Sequence, residues 1–428
     1  MLVWSIRWYG ESKLYMRVLW ITNIIFPVPC DVLGLPLPVY GGWMMSSLEA
    51  LKSSHSDIEF AVATVYGGKR LEICQSNNVK YYLLPTSKDK TIYDNSLEPF
   101  WQQIKEDFRP DVVHIHGTEF AHGLAYIKSC GADNVCLSIQ GLVSICARYY
   151  YAGMSVKDIW RNLTIRDLLK SDTIFQQKKN FERRGKIEKE YIKLVSHVVG
   201  RTSWDKAQIW AVNPDARYYL CNETLRPSFY NHVWSYSQCD KHTIFLSQAA
   251  YPLKGLHKVL EAIPLILREF PDVHVRIAGD DIVSQPFYRR TGYGKYICSL
   301  IRNFNLDGKI TFLGTLSEEQ MCLEYLRANV FICPSSIENS PNSLGEAQLL
   351  GVPHLASCVG GVGDMMQGNE NCVYRFEEVE MLAEKVCDIF RTTFEEPVSS
   401  YNCAAERHDP TRNAQELVNI YKAILRKF

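Results

Sequence analysis

Apolar positions in this chain come in short Val/Ile-rich runs that alternate with longer amphipathic stretches. In the first half, "RVLWIT" (17–22), "IEFAVATV" (58–65), "KYYLL" (80–84), "DVVHI" (111–115), "VCLSI" (135–139) and "VSHVV" (195–199) read as strands. Segments 43–53 and 97–107 between them read as helices. The second half repeats the style, with strands at 243–247, 273–278, 309–313, 329–333 and 354–357. Its helices fall at 255–269, 293–304, 317–327, 343–350 and 378–391. Continuous apolar strands separated by helices predict parallel sheets covered on both faces. The expected fold is therefore α/β, two Rossmann-like doubly wound domains facing across a cleft.

The halves meet in 221–241, a polar and aromatic stretch without a period. This places an N-terminal domain at 16–232 and a C-terminal one at 233–428, with the last helix, 412–427, free to pack on either. Residues 1–15 read as an extension ahead of the first strand. Ligands of such sheets sit beyond the C-terminal ends of the strands, which directs attention to the loops there and to the cleft.

Composition narrows the function. The chain has 428 residues with 47 basic and 47 acidic side chains, and this balance argues against a dedicated nucleic-acid binder. Residues 1–230 nevertheless carry 28 basic against 23 acidic groups, and 151–200 carry 11 against 6. The basic segment 157–193 is read as a solvated face or a peripheral contact with anionic lipid. Fourteen scattered cysteines without a CxxC spacing read as reduced thiols of a cytoplasmic protein. No apolar run reaches spanning length, and the first fifteen residues lack the apolar core of a signal peptide.

Several loops carry chemistry. Gly41 and Gly42 precede a helix and suit close backbone approach to a phosphate. "HIHGTEFAHG" places His116 and His122 where a strand opens into the cleft, as a general base, a sugar-hydroxyl partner or plain loop residues. No cluster of metal-ligand spacing supports a metal site. Gln140 ends the fifth strand, where an amide orients hydroxyls but exchanges no proton. Lys254, before Gly255 and a helix, is placed to face a phosphate as a point charge. In "SSIENSPNSLGEAQLLGVP" (335–353), a loop holding Glu338 turns at Ser340–Pro341 into a helix that carries Glu346 one turn in. Ser340 is the expected cap, and the N–H groups around Asn342 and Ser343 form an anion site. Gly360, Gly361 and Gly363 in "VGGVGD" are expected to approach a ligand.

These motifs resemble those of the retaining, GT-B-fold glycosyltransferases of family 4 (glycosyl transferases group 1). "ENSPNSLGE" matches the family's Glu–seven residues–Glu signature, and "PDVVHIHG", "LKGLHKVLEAI", "VHVRIAGDD" and "KITFLGTLSEEQM" follow in its order. The resemblance is strong over 240–375, fair over 16–145 and poor over 146–235. It implies a nucleotide-diphosphate sugar, UDP- or GDP-linked, as co-substrate in the C-terminal domain, with no separate cofactor or metal. It also implies a glycan or lipid-linked acceptor in the N-terminal domain, within surface-polysaccharide synthesis. By the same resemblance Glu346 binds ribose and Glu338 attends the donor sugar. Lys254 neutralises the diphosphate, and the amides of Asn342 and Ser343 with Gly41–Gly42 complete its cradle. Two positions depart from the pattern. Ala249 stands where many members have arginine, leaving Arg201 or Arg226 to fill in, and Gln140 stands where many have histidine, so His116 or His122 shares that role. A non-catalytic nucleotide-sugar binder and a sugar-nucleotide epimerase are the competing readings.

Overall fold

The computed structural model describes residues 16–38, 41–394 and 400–426. The leading extension 1–15 and residue 427, where the expected last helix ends, lie outside the described residues. Two sheets organise the chain. The first contains β1 (Met16–Ile21), β2 (Ile58–Tyr66), β3 (Glu72–Ser76), β4 (Val79–Pro85), β5 (Val112–His116), β6 (Val135–Ser138), β7 (His197–Gly200) and β8 (Arg217–Leu220). Its strand order is β3-β4-β2-β1-β5-β6-β7-β8, parallel throughout except for β3 against β4. The second contains β9 (Thr243–Leu246), β10 (His274–Ile277), β11 (Ile310–Phe312), β12 (Val330–Cys333), β13 (His354–Ser357) and β14 (Val373–Tyr374). Its order is β11-β10-β9-β12-β13-β14, parallel in every pair.

The expected strands all form, and the central ones are buried on both faces. Val18, Leu19 and Trp20 of β1 and Ile244, Phe245 and Leu246 of β9 are fully inaccessible. The periodic reading misses three strands. β3 and β8 are half-exposed edge strands, and β14 has two residues. Such edges bury too little apolar surface to leave a continuous run.

The patternless stretch 221–241 packs Leu225, Phe229, Trp234 and Cys239 into the core of the second sheet. Trp234 also donates its Nε1–H to the Ala328 carbonyl at 2.8 Å. Helix Pro410–Leu425 returns to the first sheet and buries Leu417, Val418, Ile420, Tyr421 and Ile424 with Val18, Trp20 and Leu48. Tyr421 Oη accepts from Trp20 Nε1 at 2.9 Å and lies 2.7 Å from His114 Nδ1. Burial pulls His114 down to about 3, so its ring is neutral and bonds Tyr421 on one side and Ser138 on the other. Among the described residues no helix is long and apolar enough to cross a membrane.

The last helix is thus fastened to the first sheet by one hydroxyl with two buried partners. Tyr421→Phe leaves both without it, and a loss of about 2–3 kcal/mol is expected as a lower midpoint of urea unfolding.

Candidate active site

Between the sheets lies a cavity of about 790 Å³. One wall is Gly41, Gly42, Trp43 and Met45, from the loop and helix after β1. The other is Lys254, Asn342, Ser343 and Glu346, with Thr315–Glu318 at one side. Both walls stand beyond strand C-termini, as parallel sheets require.

Each wall presents a helix start. Gly41 has φ +82° and opens helix Gly42–Ser54 without a side-chain cap. A Cβ on Gly42 would lie 3.1 Å from Cγ of Arg226, so glycine lets this helix close against the arginine stem. Helix Asn342–Leu350 likewise starts without a side-chain cap, with Pro341 as the residue before it. The Ser340 cap expected above is corrected here: its hydroxyl lies 3.6 Å from the Met365 sulfur, turned into the core. Uncapped helix starts leave N–H groups and the positive end of the helix dipole toward the cavity. Tyr325 Oη steadies the second one by donating to the Ser343 carbonyl at 2.9 Å.

Two carboxylate–cation pairs complete the wall. Lys254 Nζ donates to Glu338 Oε1 at 2.6 Å, and Ser335 Oγ donates to the same oxygen at 2.7 Å. Burial disfavours the Lys254 charge, but Glu338 beside it more than compensates, and the ammonium is held above the ordinary lysine range. Glu346 Oε1 accepts from Arg226 at 2.9 Å (Nε) and 2.8 Å (Nη2). Burial still raises the Glu346 carboxyl above its usual range despite the guanidinium.

Glycines set the loops under these groups. Gly255 has φ +70°, and a Cβ there would fall 1.7 Å from the Pro334 carbonyl oxygen. A Cβ on Gly360, φ +54°, would fall 1.9 Å from the Glu338 carbonyl oxygen, to which Gly361 donates its N–H at 3.1 Å. Gly360 and Gly361 therefore approach the backbone of Glu338 and Asn339, rather than a ligand as expected.

Gly41, Gly42, Lys254, Asn342, Ser343 and Glu346 thus surround one cavity, with Glu338 one hydrogen bond behind Lys254. Four other candidates are not brought to it. His122 is buried, bonds the Thr22 carbonyl at 3.0 Å, and is pulled down to about 4 by burial. Gln140 uses its backbone carbonyl, which accepts from Arg201 at 2.8 Å and from Asn339 at 3.3 Å. Ser340 faces Met365. His116 stacks on His114 with ring centres 3.9 Å apart, beside Trp20 and Trp43. It borders a separate hollow of about 30 Å³ with Arg201 and Glu223.

Of the two arginines considered in place of Ala249, only Arg226 lines the large cavity. Arg201 is spent on the Ile139 and Gln140 carbonyls and on Glu223, 2.7 Å away. Glu223, which no motif marked, also accepts from Asn342 Nδ2 at 2.8 Å and so orients that helix start. Its only signal in the sequence is an acid just after a strand, too common to single out.

Gly360→Ala forces a side chain into the Glu338 carbonyl at positive φ. A destabilisation of at least about 2 kcal/mol is expected in chemical unfolding, where Gly363→Ala, with open space around it, stays near wild type.

Residues 236–407 match the family described as "Glycosyl transferases group 1". None of the curated proteins matches the sequence. Among solved structures, a sucrose-phosphate synthase from Thermosynechococcus elongatus is similar at TM-score 0.66 and 15% identity, over 95% of this chain and 98% of that one. Anabaena Alr3699/HepE, solved with UDP and glucose, is similar at 0.63 and 14%, over 95% and 100%. An E. coli trehalose-6-phosphate protein, bound with UDP-2-fluoro glucose, is similar at 0.62 and 9%, over 96% and 99%. The chain therefore has the GT-B fold and carries, over 236–407, a glycosyl transferases group 1 domain.

Proposed function

We propose that this chain moves a sugar, with retention of configuration, from a nucleotide-diphosphate sugar to a glycan or lipid-linked glycan acceptor. The observation that carries the donor class is the pairing of two cations with two uncapped helix starts around one cavity. A diphosphate is the ligand whose charge such a wall rewards. In this reading the diphosphate faces Lys254, Arg226 and the start of helix Asn342–Leu350. Glu346 accepts from the ribose hydroxyls, and Glu338 serves the sugar end. UDP- or GDP-linked sugars head the donor panel, and the complexes of UDP and UDP-2-fluoro glucose with structurally similar proteins support UDP first.

The chemistry asked of the residues is charge placement. The bond from the sugar's anomeric carbon to the leaving phosphate oxygen breaks, and one to the acceptor oxygen forms on the same face. The acceptor's proton passes to the leaving phosphate. Lys254 and Arg226 then hold charge that grows as the bond breaks, so they act most strongly in the transition state. On this reading Arg226 supplies the charge that Ala249 does not.

Thermal-shift screening of UDP-, GDP-, ADP- and TDP-sugars tests the donor, since binding to the folded state raises its melting temperature. With the best donor, Lys254→Met is expected to weaken diphosphate binding about 100-fold while leaving the free nucleoside unaffected. Glu346→Gln should weaken both, and Glu338→Gln should chiefly lower turnover. Wild-type kinetics in all three variants would refute the site.

The Lys254–Glu338 pair also fixes a pH dependence. Because the lysine is raised above its unfolded value, its contribution to stability is complete below the ordinary lysine range and is lost as pH rises through the raised one. In Glu338→Gln burial loses its largest opponent and the lysine's pKa falls. Its donor affinity should be lost at a lower alkaline pH than that of wild type.

A further inference from the structure

Segments 156–170 and 285–302 meet on the outer surface across the two sheets. Asp167 Oδ2 accepts the Gly292 N–H at 2.5 Å, and Lys295 Nζ donates to the Arg161 carbonyl at 3.0 Å. Around this junction several of the most exposed large apolar side chains among the described residues gather. Leu169 and Phe287 are each 82% exposed, Ile165 74%, Trp160 62% and Tyr288 60%. Ile165, Leu169, Phe287 and Tyr288 border a hollow of about 440 Å³ with Arg166 and Arg290. Apolar side chains clustered outward in this way mark an interaction surface, since scattered single ones would need no partner.

Charge identifies the partner. In a chain of zero formal charge, these two segments hold eight Lys/Arg against two Asp. Lys157, Arg161, Lys170 and Arg289 are exposed, while Asp167 is turned inward. A second copy would set this positive face against itself. A nucleic acid would reward the cations but not Leu169 or Ile165. A bilayer with anionic headgroups rewards both, with aromatic and aliphatic tips in the interface and cations at the phosphates.

The geometry points to docking of this ridge on a membrane that carries anionic phospholipid. The basic helix Ile174–Leu194 offers less, since three of its cations already have partners. Arg184 donates to the Glu119 carbonyl and lies against Phe120 and Phe181, and Arg183 bonds Thr91 and Asn180. Lys178 lies over Tyr151, 3.6 Å from Glu182. The ridge touches both halves of the molecule, so a membrane beneath it restrains their mutual rotation. The inference deepens the lipid-linked acceptor reading but does not rest on the donor site.

Co-sedimentation of the full chain with vesicles tests it, using phosphatidylcholine alone and phosphatidylcholine with phosphatidylglycerol. Wild type is expected to sediment with the mixed vesicles, far less with phosphatidylcholine, and less as salt rises. Leu169→Ser/Phe287→Ser should reduce the bound fraction about tenfold, and Lys170→Gln/Arg289→Gln should remove the preference for phosphatidylglycerol. Equal sedimentation of the Leu169/Phe287 variant, or equal binding to both vesicles, overturns the proposal. So does a wild-type dimer in light scattering that Phe287→Ser converts to monomer. Both double variants should keep the thermal shift of wild type with UDP- or GDP-sugars. Lost docking with that shift intact strikes out only the membrane face, whereas no shift with docking intact strikes out the donor reading.

Discussion

The charged contact between Lys254 and Glu338 organises the cleft. It joins the loop after β9 to the loop after β12, two loops whose strands are neighbours in the second sheet. A pair this close, with about a quarter of the lysine side chain and less of the glutamate accessible, is secure only while both members stay in place. The glycines at 255 and 360 answer that need. Each removes the one atom that would push a loop away from the carbonyl beneath it. Backbone contact sets the separation, and the ion pair then follows from it.

The same loops carry part of the contact between the halves. Asn339, next to Glu338, bonds Thr202 at 2.7 Å and Asp205 at 2.8 Å from the first sheet. Asp364 accepts from the Ser203 hydroxyl at 2.8 Å, and His257 bonds the Ala152 carbonyl at 2.7 Å. These bonds are polar, and one apolar cluster that includes Met154 and Ile159 of the first half and Leu253 and Tyr293 of the second runs beside them. Glu338 therefore sits between the donor wall and the seam of the halves. Its neighbour on one side belongs to the cavity wall and on the other to the interface.

Much of this was legible in the sequence, for reasons that differ by element. Core strands such as "VVHIH" show as unbroken apolar runs because both faces are covered, whereas β3 alternates exposed and half-buried positions and leaves no such mark. Glu338 and Glu346 were readable because turn, helix start and carboxylates lie within a few residues of one another, and Lys254 because it precedes Gly255 and a helix start of its own. Arg226 was only one of two possibilities, since its partner Glu346 is 120 residues away and no local pattern encodes that contact. His122 shows the converse. A histidine just beyond a strand reads the same whether it faces a cavity or the Thr22 carbonyl, and only tertiary packing decides.

Arg226 also shows how a departure from a motif can be made good by distant chain. It lies between Leu225 and Phe229, both buried in the second sheet's core, and its guanidinium stands 4.8 Å from the Phe229 ring centre. Anchored on both sides, an otherwise flexible arginine loses little further entropy when it meets an anion. Its pairing with Glu346 keeps the charge compensated until a ligand arrives. A strand-loop arginine at position 249 would have belonged to the second sheet alone. Arg226 reaches the cavity from the joining segment, anchored in the second sheet's core, with its stem against Gly42 of the first. On the proposed reading, the two walls of the cleft then meet at the arginine that faces the leaving phosphate.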